Sequence, residues 1–424
     1  MKNVFVMGLD ELNHLSLRSL PSAEDCVFHQ LLTQDELQGG TISVPDLLGA
    51  AQRRLDDFPG SVDAIVGYWD FPVPMMVAIL CARYGLPSAD LEAVVRCEHK
   101  YWSRLEQQKA IDEVPAFGLI PATEGATLPA HLGYPVWVKP VKSASSEGAH
   151  YVTDDVALAG ALAAALPTVD RIGGPFEEIL AMVDLPAEVA AAGGRAFIAE
   201  EAVTGRQLTV EGFSRHGRVE VYGVVDSMHV PGTQSFLRYQ YPSGLPQDVQ
   251  DHVADLSVRV ISHMGLTNST FNIEYFWDPQ TGRVALLEIN ARHSQSHALL
   301  FQLVDGAANH LCMVDLALDR DPRMPHRQGR CAIAAKWFVR RFTDGVVRRV
   351  PSQEDVAALE REMPGTTARV VVSPGARLSE QRFEDSYSHV LAQIYTGGRD
   401  EDELREQYAR YVEGLEFVVD DGAV

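Results

Sequence analysis

At 424 residues the chain exceeds any single small module and has room for about three domains of ~150 residues each. Its 46% apolar and 22% charged residues, with 33 Gly and 23 Pro dispersed along it, exclude long disorder. Lys and Arg number 36 against 58 Asp and Glu, and the resulting charge of −22 repels phosphate backbones and anionic lipid, so neither nucleic acid nor membrane is expected as a partner.

The opening run M-K-N-V-F-V-M-G-L-D-E is broken by Asp10 and Glu11 and forms no signal-peptide core. Asn3–Met7 reads as a buried strand ending at Gly8, and Val62–Val66 as a second ending at Gly67. Helical patterns lie between and after them, one over Met75–Tyr84 stopping at Gly85, and this alternation predicts a parallel, doubly wound first unit closing near residue 95. From there to about residue 315, hairpin-like strand pairs are expected, Arg195–Ala202 with Gln207–Phe213, then Arg218–Ser227. Small Ala-rich helices are expected over Val156–Leu166 and Pro186–Ala192. The last hundred residues carry strand signals at Cys331–Phe342 and Ala368–Ser373 and a helix over Glu401–Gly414 with acidic residues at its positive end. Five widely spaced cysteines without a C-x-x-C fit a reducing, cytoplasmic compartment and no zinc site.

Two stretches could carry chemistry. Val136–Pro140 is an apolar strand with Lys139 at its end, followed by Lys142 and the small residues Ser143, Ala144, Ser145, Ser146 and Gly148. A cation beside a loop of backbone N–H groups and hydroxyls can cradle phosphates. The same pattern also suits an edge-strand lysine before a surface turn. The second stretch, Phe271–Tyr275 and Val284–Arg292 joined through Asp278, Pro279 and Gly282, reads as a hairpin. Glu288 and Asn290, two apart, share a face, and the partner strand can bring Glu274 alongside. Oxygen donors converging in an apolar sheet call for a hard cation, Mg2+ with Mn2+ as an alternative. A solvated polar strand face is the other reading.

Taken in order, Lys100 in C-E-H-K-Y-W-S-R, V-W-V-K-P with its Ser/Gly loop, A-E-E-A-V-T-G-R-Q-L-T-V-E-G-F, N-I-E-Y-F and L-E-I-N-A-R resemble the ATP-grasp superfamily of carboxylate ligases. The layout is most similar to the L-amino-acid ligase and biotin carboxylase branch. The resemblance implies an α/β ATP-grasp fold: a Rossmann-like parallel-sheet domain over 1–95, an ATP-grasp domain over 96–315 with a mobile lid at about 118–203, and a C-terminal α+β domain over 316–424. It implies ATP and two Mg2+ ions as cofactors. Lys100 and Lys139 would bind the α- and β-phosphates, and Ser143, Ser145, Ser146 and Gly148 would belong to the loop closing over the triphosphate. Glu200, Glu201, Ala202 and Val203 would read the adenine edge. Gln207 stands where the family usually has a ribose-binding Glu. Glu274, Glu288 and Asn290 would hold the metals, Arg292 would stabilise the acyl phosphate, and Ala291 replaces the usual proline after the Asn.

His293, Ser294 and Ser296 follow the metal strand and would border the acyl site, although the serines equally suit a helix cap. Glu211 and Arg238 are candidate contacts for an ammonium and a carboxylate. The Arg340-Arg341 and Arg348-Arg349 pairs read as a solvated or ion-paired face. The expected activity is ADP-forming ligation of a carboxylate to an amine, both small molecules, in an enzyme compatible with a homodimer. Thiol ligation, a biotin-carboxylase-like reaction, and an inactive nucleotide-binding regulatory module are the alternatives.

Overall fold

In the computed structural model, residues 1–123, 125–143, 147–380 and 388–420 are described. They fall into two units, the first comprising 1–223, 246–295 and 309–323 and the second 224–245, 296–308 and 324–424.

The first unit begins with β1 (Lys2–Met7), β2 (Cys26–Leu32) and β3 (Ala64–Gly67), a parallel sheet in the order β2-β1-β3. The expected parallel character holds. The strand Cys26–Leu32 was not expected, because His29 and Gln30 interrupt its apolar run. Local chemistry sets the helices around this sheet. Asp10 caps Glu11–Arg18, Asp90 caps Leu91–Glu98, and Gly85, at φ +65°, ends Val73–Tyr84 in the left-handed conformation that glycine adopts most readily.

An antiparallel sheet follows, β4 (Phe117–Ile120), β5 (Val136–Pro140), β6 (His150–Val152) and β7 (Phe197–Glu201), ordered β4-β7-β5-β6. It buries Val136, Val138, Phe197 and Ala199 against Leu158 and Leu162 of the helix Asp155–Ala165. The expected hairpin of Arg195–Ala202 with Gln207–Phe213 is not formed: β7 pairs with β4 and β5, whereas β8 (Arg206–Arg215) pairs with a strand of another sheet. Gly205 makes this crossing possible, since a Cβ there would lie 2.4 Å from the Trp277 carbonyl oxygen.

β9 (Arg218–His229) is divided between the units at Gly223. β10 (Phe236–Tyr241) belongs to the second unit, and β11 (Ser269–Trp277) and β12 (Val284–Asn290) to the first, where the strand order is β12-β11-β8 and then the start of β9. In the second unit β13 (Ile333–Arg341), β14 (Val346–Arg349), β15 (Thr367–Val370), β16 (His389–Gly398) and β17 (Val418–Asp420) complete the strands. There the end of β9 is followed by β10, β13, β16 and β15, and β14 pairs with β17. Trp337 and Ile394 pack with Leu404 and Tyr411 of the helix Glu401–Gly414, which spans the residues its acidic start predicts. Arg348 and Arg349 pair with Asp420 and Glu416, so that basic cluster is an ion-paired surface.

Candidate active site

All members of the site below lie in the first unit. The expected hairpin β11–β12 forms, and its register sets Asn272 opposite Asn290 and Glu274 opposite Glu288. Two carboxylates thus face one another across a strand pair. Burial first, and then the charge of Glu288, push the Glu274 carboxyl up to about 7, against the pull of Arg292 and the Gln207 amide. Burial raises Glu288 as well, but Lys100 outweighs it and leaves that carboxyl below its ordinary value.

Lys100 opens the helix Lys100–Ala110, whose cap is His99: the imidazole Nδ1 accepts from the Trp102 N–H at 3.3 Å, and Nε2 meets the Gly193 carbonyl at 3.0 Å. Burial holds His99 at about 4, so it stays neutral and can both accept and donate. From this anchored turn Lys100 Nζ reaches Glu288 Oε1 at 2.6 Å. One helical turn on, Arg104 is buried and donates to Glu200 Oε1 at 2.6 Å, to the Gln107 side chain at 2.5 Å, and to the carbonyls of Leu286 and Leu287 at 2.8 and 2.6 Å. It therefore joins β7 to the strand carrying Glu288.

Lys139, at the end of β5, donates to Glu200 Oε2 at 2.6 Å. Burial pushes the Glu200 carboxyl up, yet Arg104 and Lys139 together overcome this and hold it at about 2. The Glu200 side chain is thus a counter-ion shared by two cations, a role its sequence position did not disclose. Glu201 instead forms a bidentate exposed pair with Arg283, at 2.6 and 2.8 Å. The backbone N–H groups of Glu201 and Ala202 are spent on the carbonyls of Ala116 and Pro135, and Val203 is half-buried beside them. Gln207 donates to Glu274 Oε2 at 2.8 Å, beside the acidic pair. Ser143 is buried and Gly148 half-buried at the two ends of the Ser/Gly loop, while Ser145 and Ser146 lie outside the described residues.

Asn290 donates to Asn272 Oδ1 at 3.0 Å, and Asn272 in turn donates to the Arg292 carbonyl at 2.9 Å. This orients the Asn290 amide with its oxygen left for other contacts. Arg292 itself pairs with Asp70, through Nε at 3.1 Å and through Nη2. Lys142 pairs with Glu98, whose other oxygen accepts the Ala291 N–H at 3.1 Å. The sequence assigned no role to Asp70, Glu98 or Arg104, and placed Lys142 only at the start of the Ser/Gly loop. Glu98 and Arg104 flank Lys100 in the motif that contains it, but nothing local marks Asp70, 222 positions from its partner.

Among the remaining candidates, Glu211 is buried and accepts from the Ser294 N–H at 3.1 Å and the Tyr222 hydroxyl at 3.2 Å. His293 is buried beside Thr270. Arg238 and Ser296 belong to the second unit: Arg238 lies 4.5 Å from the Trp337 ring centre and pairs with Glu401 at 3.2 Å, and Ser296 accepts from Lys336 at 2.9 Å. Neither serine caps the helix Ala298–Val304, whose cap position is His297.

Among the described residues no three His, Cys, Asp or Glu side chains converge as a metal cluster. The donor set is two carboxylates and one amide, Glu274, Glu288 and Asn290. Two carboxylates facing one another across the hairpin, one of them raised first by burial and then by the other's charge, make an environment a hard divalent cation would relieve, so the residues fit Mg2+.

Residues 132–298 match the family model of the ATP-grasp domain. The fold is similar to that of an L-amino acid ligase from Bacillus licheniformis (TM-score 0.70, 15% identity, 99% of each chain covered) and of a phosphoribosylglycinamide synthetase from Anaerococcus prevotii (0.64, 12%, 99% of this chain and 100% of that one). It is also similar to a biotin carboxylase from Campylobacter jejuni (0.65, 14%, 99% and 92%). No curated protein matches in sequence. Residues 132–298 thus match an ATP-grasp domain, set within a chain whose fold is the ATP-grasp fold of these structures.

Proposed function

We propose that the chain is an ATP-dependent, ADP-forming ligase that activates a carboxylate as an acyl phosphate and joins it to an amine, with amino acids or similar small molecules as substrates. The observation that carries this reading is the gathering of Lys100, Lys139, Glu274, Glu288, Asn290 and Arg292 within one unit, where Lys100, Lys139 and Arg292 each hold a carboxylate partner and Glu274 faces Glu288. Lys100 and Lys139 would exchange their carboxylate partners for phosphate oxygens of the nucleotide. Glu274, Glu288 and Asn290 would hold Mg2+, which supplies charge neutralisation along the triphosphate. The substrate carboxylate attacks the γ-phosphorus and ADP leaves. The amine then attacks the acyl carbon, Arg292 steadies the oxyanion of the tetrahedral intermediate, and inorganic phosphate departs as the nitrogen releases its proton to solvent, leaving the amide.

The three-domain division at residues 95 and 315, with a lid over 118–203, is part of this reading, and the separate β4-β7-β5-β6 sheet with its own apolar core supports the lid. So are a cytoplasmic setting and a homodimer. Among the described residues no single helix is long and apolar enough to cross a membrane. The test is a phosphate-release screen over paired carboxylates and amines, with chromatography of the nucleotide. ADP appearing only when both substrates are present is expected, and stoichiometric AMP would refute the acyl-phosphate route.

A further inference from the structure

A chain of buried polar groups runs from the turn after Arg292 to the amino-terminal helix, wholly inside the first unit. The His293 backbone N–H donates to Thr270 Oγ1 at 3.0 Å, and that hydroxyl lies 3.2 Å from His293 Nδ1. His293 Nε2 lies 2.8 Å from His310 Nδ1, and His310 Nε2 lies 2.9 Å from Asn13 Oδ1. Asn13 Nδ2 donates to Asp10 Oδ2 at 2.5 Å, and Asp10 caps the helix Glu11–Arg18 through the Asn13 N–H at 3.1 Å. Both imidazoles are fully buried, Asn13 is 2% exposed, and the Tyr68 ring lies 5.1 and 6.4 Å from the His310 and His293 rings.

The direction of this chain follows from its end. An ionised Asp10 only accepts, so Asn13 must present its amide N–H to it and its carbonyl oxygen to His310. His310 Nε2 therefore carries a hydrogen. Burial drives His310 down to about 3, so the ring is neutral and its Nδ1 bears a lone pair. That lone pair accepts a hydrogen from His293 Nε2, leaving His293 Nδ1 turned toward Thr270. Each ring has one tautomer and one orientation, the hallmark of a fully satisfied buried network. Its inner end clamps the Arg292–His293 peptide from the histidine side, while Asn272 holds the Arg292 carbonyl from the other.

We propose that His310 and Asn13 are positioning residues for Arg292, acting through the tautomer they impose on His293. The role given to Arg292 rests on the ligase reading above, whereas the chain's direction does not. The direct test uses nitrogen-15 NMR of histidine- and arginine-labelled protein in the wild type, His310→Gln and His310→Leu. Glutamine offers an oxygen to His293 and an N–H to Asn13 and so preserves the direction; leucine offers neither.

Wild type and His310→Gln are expected to show the Nε2–H tautomer at His293 and a slowly exchanging Arg292 Nε–H, with both lost in His310→Leu and MgATP affinity unchanged. Retention of both signals in His310→Leu would overturn the proposal. Should that variant not fold, Asn13→Leu at the outer end carries the same readout. Once a substrate pair is in hand, His310→Leu should lower kcat roughly 10- to 100-fold without changing the KM for ATP, and His310→Gln should restore it. If no pair supports ADP formation the ligase reading fails, and the tautomer measurement still decides the chain.

Discussion

Glu200 is the residue on which the electrostatics of the site can be tested most directly. Its carboxyl is buried between Arg104 and Lys139, both at 2.6 Å, and is held at about 2 against an ordinary 4.5. A carboxyl depressed in the folded state contributes stability that is fully present above its unfolded value and is lost as pH falls through the folded one. Here that window runs from about 4.5 down to about 2, and at about 1.4 kcal/mol for each tenfold change it amounts to roughly 3 kcal/mol. Glu200→Gln removes this dependence and also leaves the buried Arg104 and the half-buried Lys139 without their shared partner, a pH-independent loss of roughly 3–5 kcal/mol. Urea unfolding followed from about pH 3 to about pH 7 should therefore give a variant curve that is lower at neutral pH and flatter toward acid. Parallel curves for the two proteins would refute the buried triad as the source of acid sensitivity.

Glu288→Gln should lower turnover at saturating Mg2+ by at least about 100-fold with an unchanged far-UV circular dichroism spectrum, because charge is lost at nearly constant volume; near-normal turnover would remove Glu288 from the metal site. In the second unit, burial first, then Arg369 and Arg340, bring Lys336 from 10.5 down to about 7. A lysine depressed on folding binds fewer protons than the unfolded chain does, so stability should rise between pH 7 and 10.5, and Lys336→Met should abolish that rise. At or below neutral pH the same substitution should stabilise the protein by roughly 5 kcal/mol at most, as read by denaturant midpoints. A variant no more stable than wild type would show that Lys336 is compensated in the fold.

What the amino-acid sequence determined by itself was whatever depends on neighbours along the chain. Strand alternation placed Glu288 and Asn290 on one face, the turn at Asp278–Gly282 brought Glu274 opposite, and the acidic start of Glu401–Gly414 marked that helix. The order of its motifs led to the ATP-grasp fold. Only the tertiary structure decided which charges meet. Lys100 and Glu288 are 188 positions apart, and Arg292 and Asp70 are 222 apart. It also decided that β7 and β8, adjacent in sequence, part into different sheets at Gly205, and that Cys26–Leu32 joins the parallel sheet despite its polar interruptions. Periodicity is a property of consecutive residues, whereas a buried ion pair forms only where two distant backbones bring opposite charges into the same low-dielectric space.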